Sequence, residues 1–268
     1  MNAANGTALI TGASSGIGAV YADRLAHRGY DLVLIARDRA RMDALADRLK
    51  GTGSKIEILV ADLTNDDDLD RVETRLANED ISLLVNNAGM SLNGSLLENS
   101  GTDISRIIAL NITAPARLAA AASKTFVKKG HGAVINISSV LALAPERYDG
   151  VYSGSKAFLL NLSQSMTAQY ATQGIYTQAV LPGATRTELW ERSGKDIDSF
   201  PLEMLMDVDD LVDAALLGFD RREPVTIPPL ADDAPWTAMQ EARLSMAPNL
   251  SRRTVAARYE SSQVAEGK

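Results

Sequence analysis

Short apolar segments alternate with longer amphipathic ones from residue 7 to about residue 228, and this alternation limits the fold more than any other feature. Seven such segments separated by helical stretches imply right-handed βαβ units, with a parallel sheet covered by helices on both faces. The sequence therefore predicts an α/β protein with a doubly wound sheet of about seven strands. The predicted strands are Thr7–Ile10, Asp31–Ala36, Ile56–Ala61, Leu83–Asn86, Ala133–Ile137, Ile175–Leu181 and Pro224–Ile227.

The composition excludes several classes of protein and site. The 268 residues carry 34 acidic and 27 basic side chains, and the net charge of −7 argues against a nucleic-acid partner. The lack of cysteine excludes disulfides and thiolate metal sites, and two histidines cannot form a histidine-rich metal centre, so we expect no metal. No apolar run approaches the roughly 20 residues of a membrane helix, and residues 1–6 are too short and uncharged for a signal peptide. These features predict a cytoplasmic protein without a membrane partner.

A glycine-rich turn joins the first predicted strand to an amphipathic helix. Its bare backbone amides at a helix N-terminus suit a diphosphate, because glycines let the chain approach a ligand without a Cβ in the way. A second strand ends about twenty residues further on, which is the context in which such a turn binds a dinucleotide. The alternative is a tight turn without a ligand. The residues predicted to bind the cofactor are Gly12, Ser14, Ser15, Gly16, Ile17 and Gly18.

The spacing Gly-x-x-x-Gly-x-Gly of this turn resembles that of the short-chain dehydrogenase/reductase family. Two further stretches match the family in order, one after the third strand and one closing the fourth. The resemblance covers residues 7 to about 228. It implies a Rossmann-type single domain, with the cofactor-binding catalytic region over residues 1–230, a C-terminal helical extension over residues 231–268, and assembly as a homodimer or homotetramer. The matching residues, which the resemblance places beside the cofactor, are Asp62, Leu63, Asn87, Ala88 and Gly89.

The end of the second strand bears on which nicotinamide cofactor is bound. An acid at the last strand position would bind both ribose hydroxyls and select NAD, but Ala36 holds that position. Arg37 follows, and a guanidinium can hold a phosphate with two charge-assisted hydrogen bonds, so we predict NADP(H). The alternative is that Arg37 is a solvated charge and that Asp38 reaches the ribose, unless Asp38 caps the next helix.

Tyr152 and Lys156 lie four residues apart in an apolar predicted helix, so their side chains share one face. We expect the ammonium, together with the positive charge of an oxidised nicotinamide, to lower the pKa of the phenol. Upstream, a strand ends in Ser138-Ser139, at the edge where open parallel sheets bind ligands. The serine-to-tyrosine spacing of the family favours Ser139 as the residue that orients the substrate oxygen, with Ser138 bonded to nearby backbone.

Asn111 matches the fourth catalytic residue of the family and lies in a helix predicted from about Asp103 to Lys128. Because Pro115, four residues on, has no N–H, the carbonyl of Asn111 would lose its helical donor. The resemblance implies that this carbonyl holds a water in a proton relay with the lysine. The alternative is that Pro115 only kinks the helix.

Residues after the sixth strand complete the predicted site. Pro182, Gly183 and Thr187 resemble the family segment that lies over the nicotinamide, in which the threonine binds the carboxamide. The segment that follows is apolar, which fits an apolar ketone or aldehyde as substrate. Besides Ser139, the predicted substrate contacts are Leu141, Leu189 and Trp190. The alternative is that these side chains pack against the protein or a partner subunit.

Together the motifs predict an oxidoreductase that transfers a hydride between NADP(H) and a carbonyl or secondary alcohol, with Tyr152 and Lys156 also contacting the cofactor. One alternative is an epimerase or dehydratase of the extended family, whose usual Gly-x-x-Gly-x-x-Gly spacing this chain lacks. The other is an NADP-binding sensor or scaffold without turnover, although such proteins commonly lose the tyrosine or the lysine. Past residue 228, helices are predicted over Asp232–Arg243 and Ser251–Gln263, and the apolar helix from Val151 is predicted to pack against a second subunit.

Overall fold

The computed structural model describes residues 5–189 and 196–259, and the chain forms two compact units, Met1–Pro229 and Leu230–Lys268. The first unit contains a parallel sheet of seven strands in the order β3-β2-β1-β4-β5-β6-β7. The predicted α/β, doubly wound, Rossmann-type fold is therefore confirmed. The strands are β1 (Thr7–Thr11), β2 (Asp31–Ala36), β3 (Ile56–Val60), β4 (Ile81–Asn86), β5 (Gly132–Ile137), β6 (Ile175–Val180) and β7 (Val225–Thr226).

Helices connect the strands and cover both faces of the sheet. The helices described in this unit are α1 (Gly16–His27), α2 (Arg39–Leu49), α3 (Asp66–Leu76), α4 (Gly101–Ile108), α5 (Ala114–Lys129), α6 (Gly150–Tyr170) and α7 (Val208–Asp220). The helix predicted from about Asp103 to Lys128 is confirmed as a helical stretch, but it contains a π-helical turn at Ala109–Thr113 between α4 and α5. Asp38 caps α2 by accepting a hydrogen bond from the Arg41 backbone N–H at 3.0 Å.

The strand order sets the place of a ligand crevice. From β1 the chain winds outward through β2 to β3, and it then returns to β4 on the other side of β1. The loops that follow β1 and β4 therefore leave the sheet in opposite directions, and a crevice opens between them at the carboxyl ends of the strands. Both loops carry predicted cofactor residues.

The core consists of two apolar clusters, one on each face of the sheet. Alternate residues of β2 belong to opposite clusters, with Leu32 and Leu34 on one face and Val33 and Ile35 on the other, as the two-residue period of a strand requires. One cluster packs against α1, α2 and α7, and the other against α3, α5 and α6. This burial on both faces explains why the predicted strands are nearly continuous apolar runs.

The apolar residues of α6 are used largely within the chain itself. Leu159, Leu160 and Met166 are buried, and Phe158 and Leu162 are half-buried. Met166, Leu162 and Tyr170 pack into the core cluster on the sheet face that α6 covers, which explains part of the apolar surface behind the predicted subunit interface. Oligomerisation stays a prediction.

The second unit carries helix α8 (Ala234–Ser245), which overlaps the first of the two predicted C-terminal helices. The prediction of a second helix over Ser251–Gln263 was wrong as far as residue 259, where only a short 3-10 turn, Ala257–Tyr259, forms. Residues 260–263 lie outside the described part. A helix of the length predicted for Ser251–Gln263 is marginal unless tertiary packing supports it. Leu250 and Val255, two apolar residues of this region, are exposed and provide no such packing. Among the described residues, no helix is long and apolar enough to cross a membrane.

Candidate active site

A cavity of about 1020 Å³ opens at the carboxyl ends of β1, β4, β5 and β6. Its position agrees with the crevice expected from the strand order. The predicted site residues that line it are Gly12, Ser14, Ser15, Gly16, Ile17, Asn87, Ala88, Gly89, Ser139, Leu141, Tyr152, Lys156, Pro182, Gly183, Thr187 and Leu189. Gly18, Arg37, Asp62, Leu63 and Asn111 are not part of its lining, and Trp190 lies outside the described residues.

The glycine turn forms a backbone cradle at the start of α1. Gly12 and Gly16 have φ angles of 67° and 53°, in the left-handed region that favours glycine. A Cβ on Gly16 would lie 3.3 Å from Thr187 Cγ2, so Thr187 is directly above the turn. The first turn of α1 has no acidic residue, unlike that of α3, which has three. This helix N-terminus therefore fits an anionic group such as a diphosphate.

Asn87 and Thr11 hold the turn against the end of β4. Asn87 Nδ2 donates to Thr11 O at 2.9 Å, and Thr11 Oγ1 accepts from the backbone N–H groups of Asn87 and Ala88, each at 2.9 Å. A Cβ on Gly18 would lie 2.5 Å from Asn87 Nδ2, so Gly18 permits close packing beneath the turn. Thr11 was not among the predicted site residues, although its place at the end of β1 was a signal.

Tyr152, Lys156 and Ser139 converge at the base of the cavity. Asp149 caps α6 by accepting hydrogen bonds from the backbone N–H groups of Val151 at 3.1 Å and Tyr152 at 2.9 Å, so the tyrosine lies in the first turn. Lys156 follows one turn later, with Nζ 5.7 Å from the centroid of the Tyr152 ring. Ser139 Oγ accepts from the Leu141 N–H at 3.1 Å, and Ser139 is close enough to Tyr152 to lower the pKa of its phenol. The predicted proximity of these three groups is therefore present.

Ser138 has a different use from its neighbour. Its hydroxyl donates to Lys156 O at 2.7 Å and so ties the end of β5 to α6. The prediction of a bond to nearby backbone was wrong, because the acceptor lies on α6, 18 residues further along the chain. Lys156 Nζ donates in turn to Ile137 O at 2.9 Å, which fixes the ammonium beside the strand end.

The pKa of Tyr152 differs from the expectation. Burial raises it well above the usual value, the neighbouring Tyr148 raises it further, and the nearby Ser139 hydroxyl lowers it. The ring is only 8% exposed, and desolvation penalises the phenolate. The lowering expected from the ammonium is therefore not found in the chain alone. A phenol in this state holds its proton at neutral pH, as a proton donor must.

Burial also lowers the pKa of Lys156, to about 8 from its ordinary 10.5, because the side chain is only 5% exposed. Below pH 8 the lysine is charged in both the folded and unfolded states, so its desolvation costs stability, and this cost vanishes as the pH rises from 8 to 10.5. At 1.36 kcal/mol per pKa unit the cost at pH 7 is about 3 kcal/mol.

We therefore expect Lys156→Met to raise the free energy of unfolding at pH 7 by up to about 3 kcal/mol, by removing a desolvated charge. The gain should shrink toward pH 10, and urea denaturation at both pH values measures it. Lys124→Met is the matched control, because Lys124 is exposed on α5. If Lys156→Met were less stable than the wild type, and by more at pH 7 than at pH 10, the result would contradict a stability cost of the buried ammonium.

Asn111 lies in the π-helical turn and supports the site through its side chain. Its Oδ1 accepts from the Met90 N–H at 2.9 Å, and its Nδ2 donates to Met90 O at 2.8 Å and to Ser155 Oγ at 3.1 Å. Asn111 Oδ1 and Lys156 Nζ both lie 3.4 Å from the position that a Cβ on Gly89 would occupy, so the two residues flank this glycine. The Ala114 N–H donates to Ala109 O, five residues back, which is the hydrogen bond of a π turn. The next residue, Pro115, has no N–H to donate. The relay through the Asn111 carbonyl stays a prediction.

Arg37 and Asp62 lie together outside the cavity lining. Arg37 is 60% exposed, and its Nη1 is 3.8 Å from Asp62 Oδ2. Although burial raises the pKa of Asp62, the hydrogen bonds from Thr64 and the charge of Arg37 lower it overall. Leu63 is buried in the core. Asp38 caps α2, and this use of its carboxylate argues against the alternative in which Asp38 binds the cofactor ribose.

The segment after β6 returns over the cavity. Its ends are joined by two backbone hydrogen bonds, from Met206 N to Ala184 O at 2.9 Å and from Arg186 N to Met206 O at 3.1 Å. Glu188 on this segment pairs with Arg41 of α2, with Nη1 2.7 and 2.6 Å from the two carboxylate oxygens. The apolar side chains that this segment adds to the cavity wall are Leu189, Phe200, Met204, Leu205 and Met206.

Sequence reasoning missed several polar residues of the wall, among them Tyr148 and Ser91. Their hydroxyl oxygens are 2.9 Å apart, and the Tyr148 ring contacts that of Tyr152. The spacing of four residues between Tyr148 and Tyr152 was a signal for the first. No local pattern marked Ser91, because the contact joins segments 57 residues apart in the chain.

A family model described as short chain dehydrogenase matches residues 6–198. Human 17-beta-hydroxysteroid dehydrogenase type 3 is 35% identical over 185 residues, 68% of this chain and 60% of the relative. Very-long-chain 3-oxoacyl-CoA reductase of Podospora anserina is 33% identical over 180 residues, 65% of this chain and 53% of the relative. The chain thus matches only a little over half the length of these two curated relatives.

Two solved structures match nearly the whole chain. A short-chain dehydrogenase from Sphingobium yanoikuyae in complex with NADPH is 52% identical with a TM-score of 0.92, covering 95% of this chain and 99% of that one. A bulky-bulky ketone specific alcohol dehydrogenase from Comamonas testosteroni is 47% identical with a TM-score of 0.88, covering 95% of this chain and 98% of that one.

Proposed function

The chain belongs to the short-chain dehydrogenase family, and from that premise we propose that it catalyses the NADP(H)-dependent reduction of bulky apolar ketones, or the oxidation of the corresponding alcohols. The observation that carries the proposal is the meeting of Tyr152, Ser139 and Lys156 at the base of an apolar cavity, beside a backbone cradle for a diphosphate. Any enzyme of this chemistry needs a proton donor, an oxygen-orienting group and a cofactor site within one cavity.

The residues present fit a nicotinamide dinucleotide. The two glycines with positive φ and the acid-free start of α1 suit its diphosphate, and the cavity volume of about 1020 Å³ lies at the upper end of the range for cofactor sites. Gly12, Gly16 and Ser14 would hold the diphosphate, and Thr187, directly above the turn, would hold the nicotinamide end.

Arg37 supports NADP(H) over NAD(H). Its exposed guanidinium follows an alanine where an NAD-selective acid would stand, and the nearby Asp38 is engaged as the cap of α2. The structural neighbour from Sphingobium yanoikuyae was solved with NADPH. These observations support our proposal that Arg37 binds the 2′-phosphate of NADP(H).

When bound, the cofactor supplies or accepts the hydride at the carbonyl carbon. Ser139 orients the carbonyl oxygen, and Tyr152, which holds its proton at neutral pH, donates that proton to the oxygen. Lys156, fixed by Ile137 O, lies beside the phenolate that results and stabilises its charge. Asn111 holds the Met90 segment and α6 at their present separation.

The cavity wall supports a substrate with apolar groups on both sides of its carbonyl. Leu141 and Val140 form one part of the wall after β5, and Leu189, Phe200 and Met204 come from the segment after β6. The relatives named above include enzymes of steroids, long acyl chains and bulky ketones. Each CH2 group of a substrate that is buried against such a wall contributes about 0.8 kcal/mol to the binding free energy.

The test is kcat/KM for a series of ketones, measured as NADPH consumption by the purified protein. We expect kcat/KM to rise about threefold to fourfold for each added methylene, through ketones with two bulky groups, until the cavity is full. Leu189→Ser should flatten the series, while the matched control Leu97→Ser should not, because Leu97 is 95% exposed and outside the cavity lining. A preference for small polar carbonyls would contradict the proposed substrate class.

A further inference from the structure

A second tyrosine, Tyr148, lies in the cavity wall beside Tyr152. The two ring centroids are 5.5 Å apart with an interplanar angle of 62°, an edge-to-face arrangement. Leu92 and Ile107 complete the apolar surroundings of the Tyr152 ring. The Tyr148 ring therefore closes one side of the space in which the proton-donating ring can turn.

Tyr148 is itself anchored by a buried serine. The Tyr148 hydroxyl lies 2.9 Å from Ser91 Oγ, and Ser91 Oγ donates to Leu92 O at 3.2 Å. In the bond between the two hydroxyl groups, either oxygen can be the donor, since each hydroxyl both donates and accepts. This bond joins the loop before α6 to the segment that follows β4.

That segment is held in turn by Asn111. Both side-chain polar atoms of Asn111 bond to the backbone of Met90, the residue before Ser91. Asn111 Nδ2 also donates to Ser155 Oγ, which donates to Tyr152 O at 2.7 Å. Tyr152 is thus held on its ring side through Tyr148 and at its backbone through Ser155, and both sets of contacts meet at Asn111.

We propose that Tyr148 is a positioning residue for Tyr152, and that its hydrogen bond to Ser91 sets the place of the proton-donating phenol relative to the substrate carbonyl. The cost of a misplaced donor is large, since a displacement of about 1 Å can cost as much as a hundredfold in rate. The kinetic consequence rests on the proposed function, whereas the place of the Tyr152 hydroxyl in the structure does not.

The kinetic test compares Tyr148→Phe, which keeps the ring and removes the anchor, with Ser91→Ala, which removes the anchor from the other side. Each variant is expected to lower kcat about tenfold with NADPH affinity unchanged, and the double variant should lose no more than either single variant, because both changes break one bond. Tyr170→Phe is the matched control, since this half-buried tyrosine lies at the far end of α6. Unchanged kcat in Tyr148→Phe, or additive losses in the double variant, would overturn the proposal.

A second readout needs no turnover. In a crystal structure of Tyr148→Phe, the Tyr152 hydroxyl should be displaced from its wild-type place by about 1 Å, because the bond that holds the neighbouring ring to Ser91 is lost. Tyr170→Phe should leave the Tyr152 hydroxyl in place. An undisplaced hydroxyl in Tyr148→Phe would overturn the proposal even in an active enzyme. A displaced hydroxyl in a protein that reduces no ketone would support Tyr148 and refute the proposed function instead.

Discussion

Replacing Tyr152 by phenylalanine is expected to lower kcat for ketone reduction about 10²-fold to 10⁴-fold, the range that a positioned proton donor contributes. The variant keeps the ring in its buried, edge-to-face contact with Tyr148 and removes only the hydroxyl. NADPH affinity should change little, because the backbone cradle at Gly12 and Gly16 is untouched. Steady-state kinetics and NADPH fluorescence titration measure the two quantities separately.

The control for this variant is Tyr176→Phe. The Tyr176 hydroxyl donates to Glu223 O at 2.7 Å, and Tyr176 does not line the cavity. It should leave kcat within about twofold, as substitutions away from a site usually do. Turnover by Tyr152→Phe at the wild-type rate would refute its assignment as the proton donor. A loss of NADPH binding in the same variant would instead show that the hydroxyl holds the cofactor.

Arg37→Ala is expected to lower kcat/KM for NADPH about 10-fold to 100-fold while leaving the value for NADH nearly unchanged. A hydrogen bond to a charged group contributes about 1.5–3 kcal/mol, and Arg37 is the basic side chain that follows the last residue of β2. Its contact with Asp62 is long, at 3.8 Å between exposed groups, so the guanidinium is available to a phosphate at little cost. The ratio of kcat/KM for the two cofactors is the measurement.

Arg39→Ala serves as its control, because Arg39 also lies near the end of β2 and carries the same charge, but pairs with Asp43 on the surface of α2. Loss of the NADPH preference in both variants alike would mean that general charge, and not Arg37, attracts the phosphate. Equal losses with NADPH and NADH in Arg37→Ala would contradict the specificity argument.

The elements that depend on local pattern were predictable from the sequence. The strand predicted over Asp31–Ala36 was confirmed to the residue, because its length, its apolar run and the flanking turn residues agree. The glycine turn was predictable as a helix start for the same reason. The interrupted helix was not, since a helical period continues through Asn111, and only the missing N–H of Pro115 pointed to the π turn that the structure contains.

Properties that depend on burial were not predictable. The spacing of Tyr152 and Lys156 correctly indicated that the two groups are neighbours, but not that burial would shift the pKa of the phenol upward and that of the lysine downward. Desolvation depends on how much of the chain surrounds a group, which spacing does not report. The contact of Tyr148 with Ser91 escaped for a related reason, since it joins loops that meet only in the folded chain.

The proposed reaction, the reduction of ketones with NADPH and a proton donor of the protein itself, is tested most directly by the stoichiometry of one reaction. It contains purified protein, NADPH and a ketone bearing two bulky apolar groups. We predict one secondary alcohol formed for each NADPH consumed, with little consumption when NADH replaces NADPH. Tight binding of NADPH without alcohol formation across ketones of every size would contradict it and would favour a nucleotide-binding protein without turnover.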